Sequence, residues 1–65
     1  MPLPSREEQF RRAVEHLERD GLVIIKDRAG NVAADVEAWA AGRGIATVRR
    51  ARTLGRASHW EIRRA

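Results

Sequence analysis

Few side chains in this chain combine a reactive type with a sequence context suited to chemistry. The sequence contains two histidines, His16 and His59, two serines, Ser5 and Ser58, and no cysteine. Neither serine has the surroundings of a nucleophile, and Ser5 is better explained as a helix cap. Without cysteine, and with two histidines far apart, a metal site would need ligands converging from distant positions. We therefore expect no enzymatic activity, no metal and no cofactor.

The cations form the second chemical feature, because they are concentrated in the last third of the chain. The net charge is +4. Residues 1–42 carry six cations and eight carboxylates, giving −2, whereas residues 43–65 carry seven arginines and only Glu61, giving +6. Six of these arginines make up a candidate basic patch: Arg49, Arg50, Arg52, Arg56, Arg63 and Arg64. The patch either binds an acidic partner or nucleic acid, or is simply the solvated face of two strands.

A strong helical pattern opens the chain. Ser5 and Glu8 form a capping-box signature, and apolar residues then recur with helical spacing at Phe10, Ala13, Val14 and Leu17. Asp20-Gly21 is predicted to end this helix. The next four residues, 22–25, form a branched apolar run that fits a strand buried on both faces.

The rest of the chain predicts one more helix and two strands. A loop over 27–31 precedes a helix over about 32–42, with Val36, Trp39 and Ala40 on its inner face. Strands over 45–53 and 58–64 follow, with Val48, Trp60 and Ile62 as alternating apolar positions. We predict a single α+β domain over residues 1–65, a two-layer sandwich with two helices packed on one face of a small mixed sheet.

The order of these features resembles that of the TusA-type sulfur-carrier proteins, which include the SirA-like and YedF-like proteins. The family signature, Cys-Pro-x-Pro before the first helix, is matched by Met1-Pro2-Leu3-Pro4 except at the cysteine. Further matches are Gly21 before the apolar strand, Asp27 after it, Asp35-Val36 and Trp39 in the second helix, Gly44 after that helix, and Trp60, Ile62 and Arg64 in the last strand. The resemblance implies a β-α-β-α-β-β sandwich that passes sulfur between proteins.

The chain departs from the family in a way that leaves a sheet position unfilled. The family's first strand, which precedes the signature, has no counterpart here, and the loop over 27–35 is about two residues longer than the family's usual loop. An unpaired sheet position recruits another strand. We therefore expect strand complementation by a protein partner or self-association.

The missing cysteine removes the family's reaction. A helix N-terminus favours a thiolate, but the thioether of Met1 has no ionisable proton and forms neither a persulfide nor a mixed disulfide. This chain therefore has no thiol with which to accept sulfur. The helix start is then predicted to be a docking surface at most, made of Met1, Pro2, Pro4, Ser5 and Arg6.

Two functions follow from the sequence. The first is a cysteine-less, TusA-like interaction or accessory subunit, linked through its resemblance to sulfur trafficking. The alternative is a small nucleic-acid-binding module that uses the arginine-rich hairpin as a wing on phosphates. Asp35 and Glu37 count against this alternative, because they lie near the start of the helix that would have to approach phosphate. No apolar run is long enough to cross a membrane, so we expect no membrane partner and a cytoplasmic location.

Overall fold

The chain folds as helix, strand, helix, strand and strand, in the order that the sequence predicts. The computed structural model describes residues 5–54 and 57–65. Its elements are α1 (Arg6–Asp20), β1 (Leu22–Lys26), α2 (Asn31–Gly42), β2 (Thr47–Leu54) and β3 (Ala57–Arg64). The α+β class is confirmed, as is the packing of the helices against the sheet.

Local signals in the sequence set both ends of α1. The Ser5 hydroxyl accepts a hydrogen bond from the Glu8 amide at 3.1 Å, which satisfies one of the free N–H groups of the first turn. Gly21 ends the helix with φ 73°, a left-handed conformation that costs glycine little. Its amide donates to the Leu17 carbonyl at 3.0 Å.

The sheet has the order β1-β3-β2, and both pairings are antiparallel. The expectation of a mixed sheet is therefore wrong. β1 and β2 do run in the same direction, because α2 carries the chain back between them, but they are not neighbours. β3 reverses direction after β2 and inserts between the two strands, so that each strand's neighbour is antiparallel to it.

The core lies between the helices and one face of the sheet. Strand register places Val23 beside Ile62 and Ile25 beside Trp60 on this face. The buried cluster consists of Ala13 and Leu17 from α1, Val32, Ala33, Val36 and Ala40 from α2, and Val23, Ile25 and Ile62 from the sheet. Trp39 is half-buried against it. The predicted inner face of α2 is therefore confirmed.

The opposite face of the sheet has no helix over it among the described residues. The prediction that β1 is buried on both faces is wrong, because burial alternates along it and leaves Leu22 36% and Ile24 54% exposed. Val48 also lies on this face, 46% exposed, and pairs with Arg63 rather than joining Trp60 and Ile62. Both helices pack on the same side, so the second face of each strand remains open.

Trp60 fixes the connection between β1 and α2. Its indole N–H donates to the Asp27 carbonyl at 2.6 Å. The Asp27 carboxylate in turn accepts from the Val32 amide at 2.6 Å, so it caps α2 from five residues away. Gly30, at φ 70°, lies against the indole, where an added Cβ would be 3.1 Å from Cζ2 of Trp60. One aromatic side chain thus holds the loop, the helix cap and the sheet together.

Candidate binding surface on the open face of the sheet

Among the side chains that the structure describes, nine from three strands share the uncovered face, which we call the open face. Strand register arranges them in three rows across the sheet: Leu22, Arg63 and Val48; Ile24, Glu61 and Arg50; Lys26, His59 and Arg52. Because alternate residues of a strand point to opposite sides, this set follows from the inward direction of Val23, Ile25 and Ile62.

The open face is basic around one buried carboxylate. Glu61 lies at its centre with 8% of its side chain exposed, in contact with Nε of Arg63 and 3.4 Å from a guanidinium nitrogen of Arg52. These two cations offset the cost of burying the carboxylate. Lys26 and Arg50 have no ion pair within the described parts of the chain, so the face keeps an excess of positive charge.

Apolar side chains lie among these cations. Leu22, Ile24 and Val48 are the large hydrophobic side chains that are exposed among the described residues. Leu22 and Ile24 are adjacent on β1, and Val48 lies across the sheet from Leu22 in the same row. Exposed apolar groups next to arginines are typical of protein-binding surfaces.

His59 also belongs to the open face, where it is half-buried. Its Nδ1 atom is buried and has no hydrogen-bond partner among the described residues. Within 5–54 and 57–65, no three His, Cys, Asp or Glu side chains come close enough to hold a metal ion. His16 lies on the exposed side of α1 near Asp20, as its position in the helical pattern suggests.

The predicted basic patch is divided between the two sides of the sheet. Arg50, Arg52 and Arg63 lie on the open face, whereas Arg49 and Arg64 lie on the covered side. The guanidinium carbon of Arg49 is 4.7 Å from the centre of the Trp60 ring. Its Nε is 2.6 Å from Oε1 of Glu37, an ion pair by distance without hydrogen-bond alignment.

The remaining two members of the patch do not add to the open face. Arg64 donates to the Glu18 carbonyl at 2.8 Å, which ties the end of β3 to α1. Arg56 lies outside the described residues. Three of the six predicted arginines therefore come together on one surface.

The predicted docking surface at the helix start is only partly within the described residues. Met1, Pro2 and Pro4 lie outside them. Ser5 is engaged as the cap of α1. A guanidinium nitrogen of Arg6 lies 2.6 Å from the Asp35 carboxylate, which joins the start of α1 to α2. The two described members thus have structural roles, and docking there stays a prediction.

Sequence reasoning missed the β1 side of the open face. Lys26, Leu22 and Ile24 come from a segment that reads as a continuous apolar run, and nothing in that run distinguishes a strand buried on one face from one buried on both. The charged residue that closes the run, Lys26, was the available signal. Lys26 lies beside the arginines only because β3 inserts between β1 and β2.

Comparison of the chain with protein-family models, with curated proteins and with solved structures found no significant match in any of the three. The resemblance to the sulfur carriers therefore depends on the order of features in the sequence alone. None of the helices in the described part of the chain is both long enough and apolar enough to cross a membrane. The cytoplasmic location stays a prediction.

Proposed function

We propose that this chain is a non-catalytic protein-binding module, and that it binds an acidic protein surface through the open face of its sheet. The observation that carries the proposal is the mixture on that face of exposed Leu22, Ile24 and Val48 with Lys26 and Arg50, neither of which is paired with a carboxylate in the described residues. A complementary partner would present apolar side chains opposite Leu22, Ile24 and Val48, and carboxylates opposite Lys26 and Arg50.

The resemblance to TusA-type proteins adds a biological setting to this proposal. A domain with that order of elements and no thiol would serve as an interaction or accessory subunit, and its link to sulfur trafficking rests on the resemblance. The chemistry of sulfur transfer has no place in it, because the chain contains no cysteine.

Position-specific photo-crosslinking tests the proposal. A photoreactive residue at Val48, on the open face, is compared with one at Ala34, an exposed position on α2. In cells that make the protein, we expect discrete protein adducts from position 48, weakened by Arg50→Gln, and none of the same adducts from position 34. Equal adducts from both positions, or adducts that ignore Arg50→Gln, would remove the open face as the binding surface.

A second candidate function is nucleic-acid binding, favoured by the presence of Lys26, Arg50, Arg52 and Arg63 on one face. The face lacks the aromatic platforms on which single-stranded bases stack, because Trp60 points to the core side and Trp39 lies on α2. A protein partner therefore fits the face better than a single strand does.

Fluorescence polarisation with labelled single- and double-stranded oligonucleotides separates the two candidates. Phosphate binding should weaken steeply between about 50 and 200 mM salt, and Arg50→Gln should make that dependence shallower. Absence of binding at about 50 mM salt would retire the nucleic-acid candidate and leave the protein-binding proposal in place.

A further inference from the structure

The outer edge of β1 carries backbone groups that no described strand pairs with. In an antiparallel pair, alternate residues direct their N–H and C=O groups to one neighbour. The amide of Asp27 bonds to Ser58 and the carbonyl of Gly21 accepts from Arg64, which places Val23 and Ile25 among the residues that bond to β3. The backbone groups of Leu22, Ile24 and Lys26 therefore point away from the sheet.

This edge has few of the devices that usually prevent strand addition. It contains no proline, and a single charge, on Lys26, stands at its end. Its outward-pointing residues Leu22 and Ile24 are the exposed apolar residues of β1. An apolar edge with unpaired backbone groups is a template for another strand.

The other edge of the sheet, β2, is protected by charge. If β2 paired with β2 of a second copy about a two-fold axis at Arg49, this arginine would lie opposite Arg49 of the other copy. An axis at Ala51 would put Arg50 opposite Arg52. Like charges directly opposite each other destabilise a strand pair.

A two-fold pairing of β1 with a second β1 has no such conflict. Centred on Ile24, it puts this residue opposite its own copy and Leu22 opposite the Lys26 side chain, whose alkyl stem packs on apolar groups. It would form about six backbone hydrogen bonds from groups that are otherwise bonded to water. The register is the same in both copies, as a closed two-fold interface requires.

The flank of α1 beside this edge is also compatible with a second copy. Arg12 and His16 line the groove between α1 and β1. Each has a carboxylate partner four residues away on the same helix: Glu8 lies 2.8 Å from Arg12, and Asp20 lies 3.6 Å from His16. The flank of α1 therefore presents Arg12 together with its own counter-charge to a second copy, rather than an unbalanced guanidinium.

From these observations we propose that the chain dimerises by antiparallel pairing of β1 with β1 of a second copy, which joins two three-stranded sheets into one. The inference concerns the edge of the sheet and does not depend on what the open face binds. A five-residue ladder forms a small interface, so the dimer exchanges with monomer in a concentration-dependent manner. In the dimer, the two open faces become one continuous basic surface.

Sedimentation velocity over a concentration series, with two matched variants, tests the proposal. Ile24→Lys and Val48→Lys both place a charge at an exposed apolar position of the open face, but only the first lies at the β1 edge. We expect the native chain and Val48→Lys to shift towards dimer as concentration rises, and Ile24→Lys to stay monomeric. A native chain that is monomeric up to about 1 mM would overturn the proposal. Equal loss of dimer in both variants would overturn it as well, since it would indicate stacking of the open faces.

Amide hydrogen exchange of the unmodified chain provides a test that needs no substitution. The amides of Leu22, Ile24 and Lys26 should gain protection as concentration rises, whereas those of Val23 and Ile25, bonded to β3, should be protected at every concentration. Concentration-independent exchange at the three outward amides would contradict β1 pairing even if the chain dimerises.

Discussion

Replacement of Gly30 by alanine should destabilise the fold through two effects that can be measured separately. At φ 70° an alanine costs about 1–2 kcal/mol relative to glycine. Its Cβ would also lie 3.1 Å from Cζ2 and 3.4 Å from Cε2 of Trp60. The indole has little freedom to move, because its N–H is bonded to the Asp27 carbonyl at 2.6 Å and the guanidinium of Arg49 lies over its ring. Overpacking of this kind adds about 1–3 kcal/mol.

The expected total is about 2–5 kcal/mol, a large part of the roughly 3–10 kcal/mol available to a domain of this length. Gly21→Ala is the matched control, because Gly21 has φ 73° but no atom within 4 Å of an added Cβ. Urea unfolding followed by far-ultraviolet circular dichroism gives both free energies of unfolding. The excess cost of Gly30→Ala should vanish in a Trp60→Leu background. Equal destabilisation by the two alanine variants would refute the assigned contact with Trp60.

Three further predictions concern single carboxylates. Asp27→Ala should lower the free energy of unfolding by about 1–2 kcal/mol, because the amide of Val32 loses its cap. Asp27→Asn should cost less, since its side chain keeps an acceptor oxygen. Urea unfolding measures both, and an alanine variant of native stability would contradict the cap. Glu61→Gln should delay elution from heparin to higher salt while lowering the free energy of unfolding by about 1 kcal/mol, because the two arginines left without a counter-charge are exposed to water; unchanged elution would argue against anion binding by the open face. A hydrogen bond from Arg19 lowers the pKa of Asp20; the stability this pair contributes is complete above the ordinary pKa of an aspartate and is lost as the pH falls through the lowered value. Carboxyl titration by NMR should find that pKa raised in Arg19→Gln, and an unchanged pKa would exclude Arg19 as the cause.

The elements of this fold were predictable because their signals are local. The cap at Ser5 and the glycine at position 21 define α1 within one residue, and helical periodicity identifies α2. The order of the strands, and with it their antiparallel pairing, was not predictable in the same way. The sequence of a strand indicates its length and its apolar positions. The neighbour of β1, however, is set by the chain reversal between β2 and β3, far along the chain, which no local pattern encodes.

The candidate surface was half predictable for the same reason. The density of arginine after residue 43 pointed to a basic surface, and Arg50, Arg52 and Arg63 lie on it. The number of arginines could not show that Arg49 lies on the other face, because that requires knowing which alternate residues of the strand point toward the helices. The uninterrupted apolar run predicts that Leu22 and Ile24 are buried, because it does not show which of its residues face away from the helices. In the structure both are exposed.

The insertion of β3 between β1 and β2 has a consequence for the order in which the molecule can fold. Every strand pairing within the chain involves β3, so residues 22–26 and 47–54 have no strand partner in their own chain until residues 57–64 have been synthesised. A growing chain can form its helices early, but neither ladder of the sheet can form before β3 has been synthesised. Until then the apolar run of β1 has no strand of its own chain to pair with, so we expect chains truncated before β3 to aggregate more readily than the full chain.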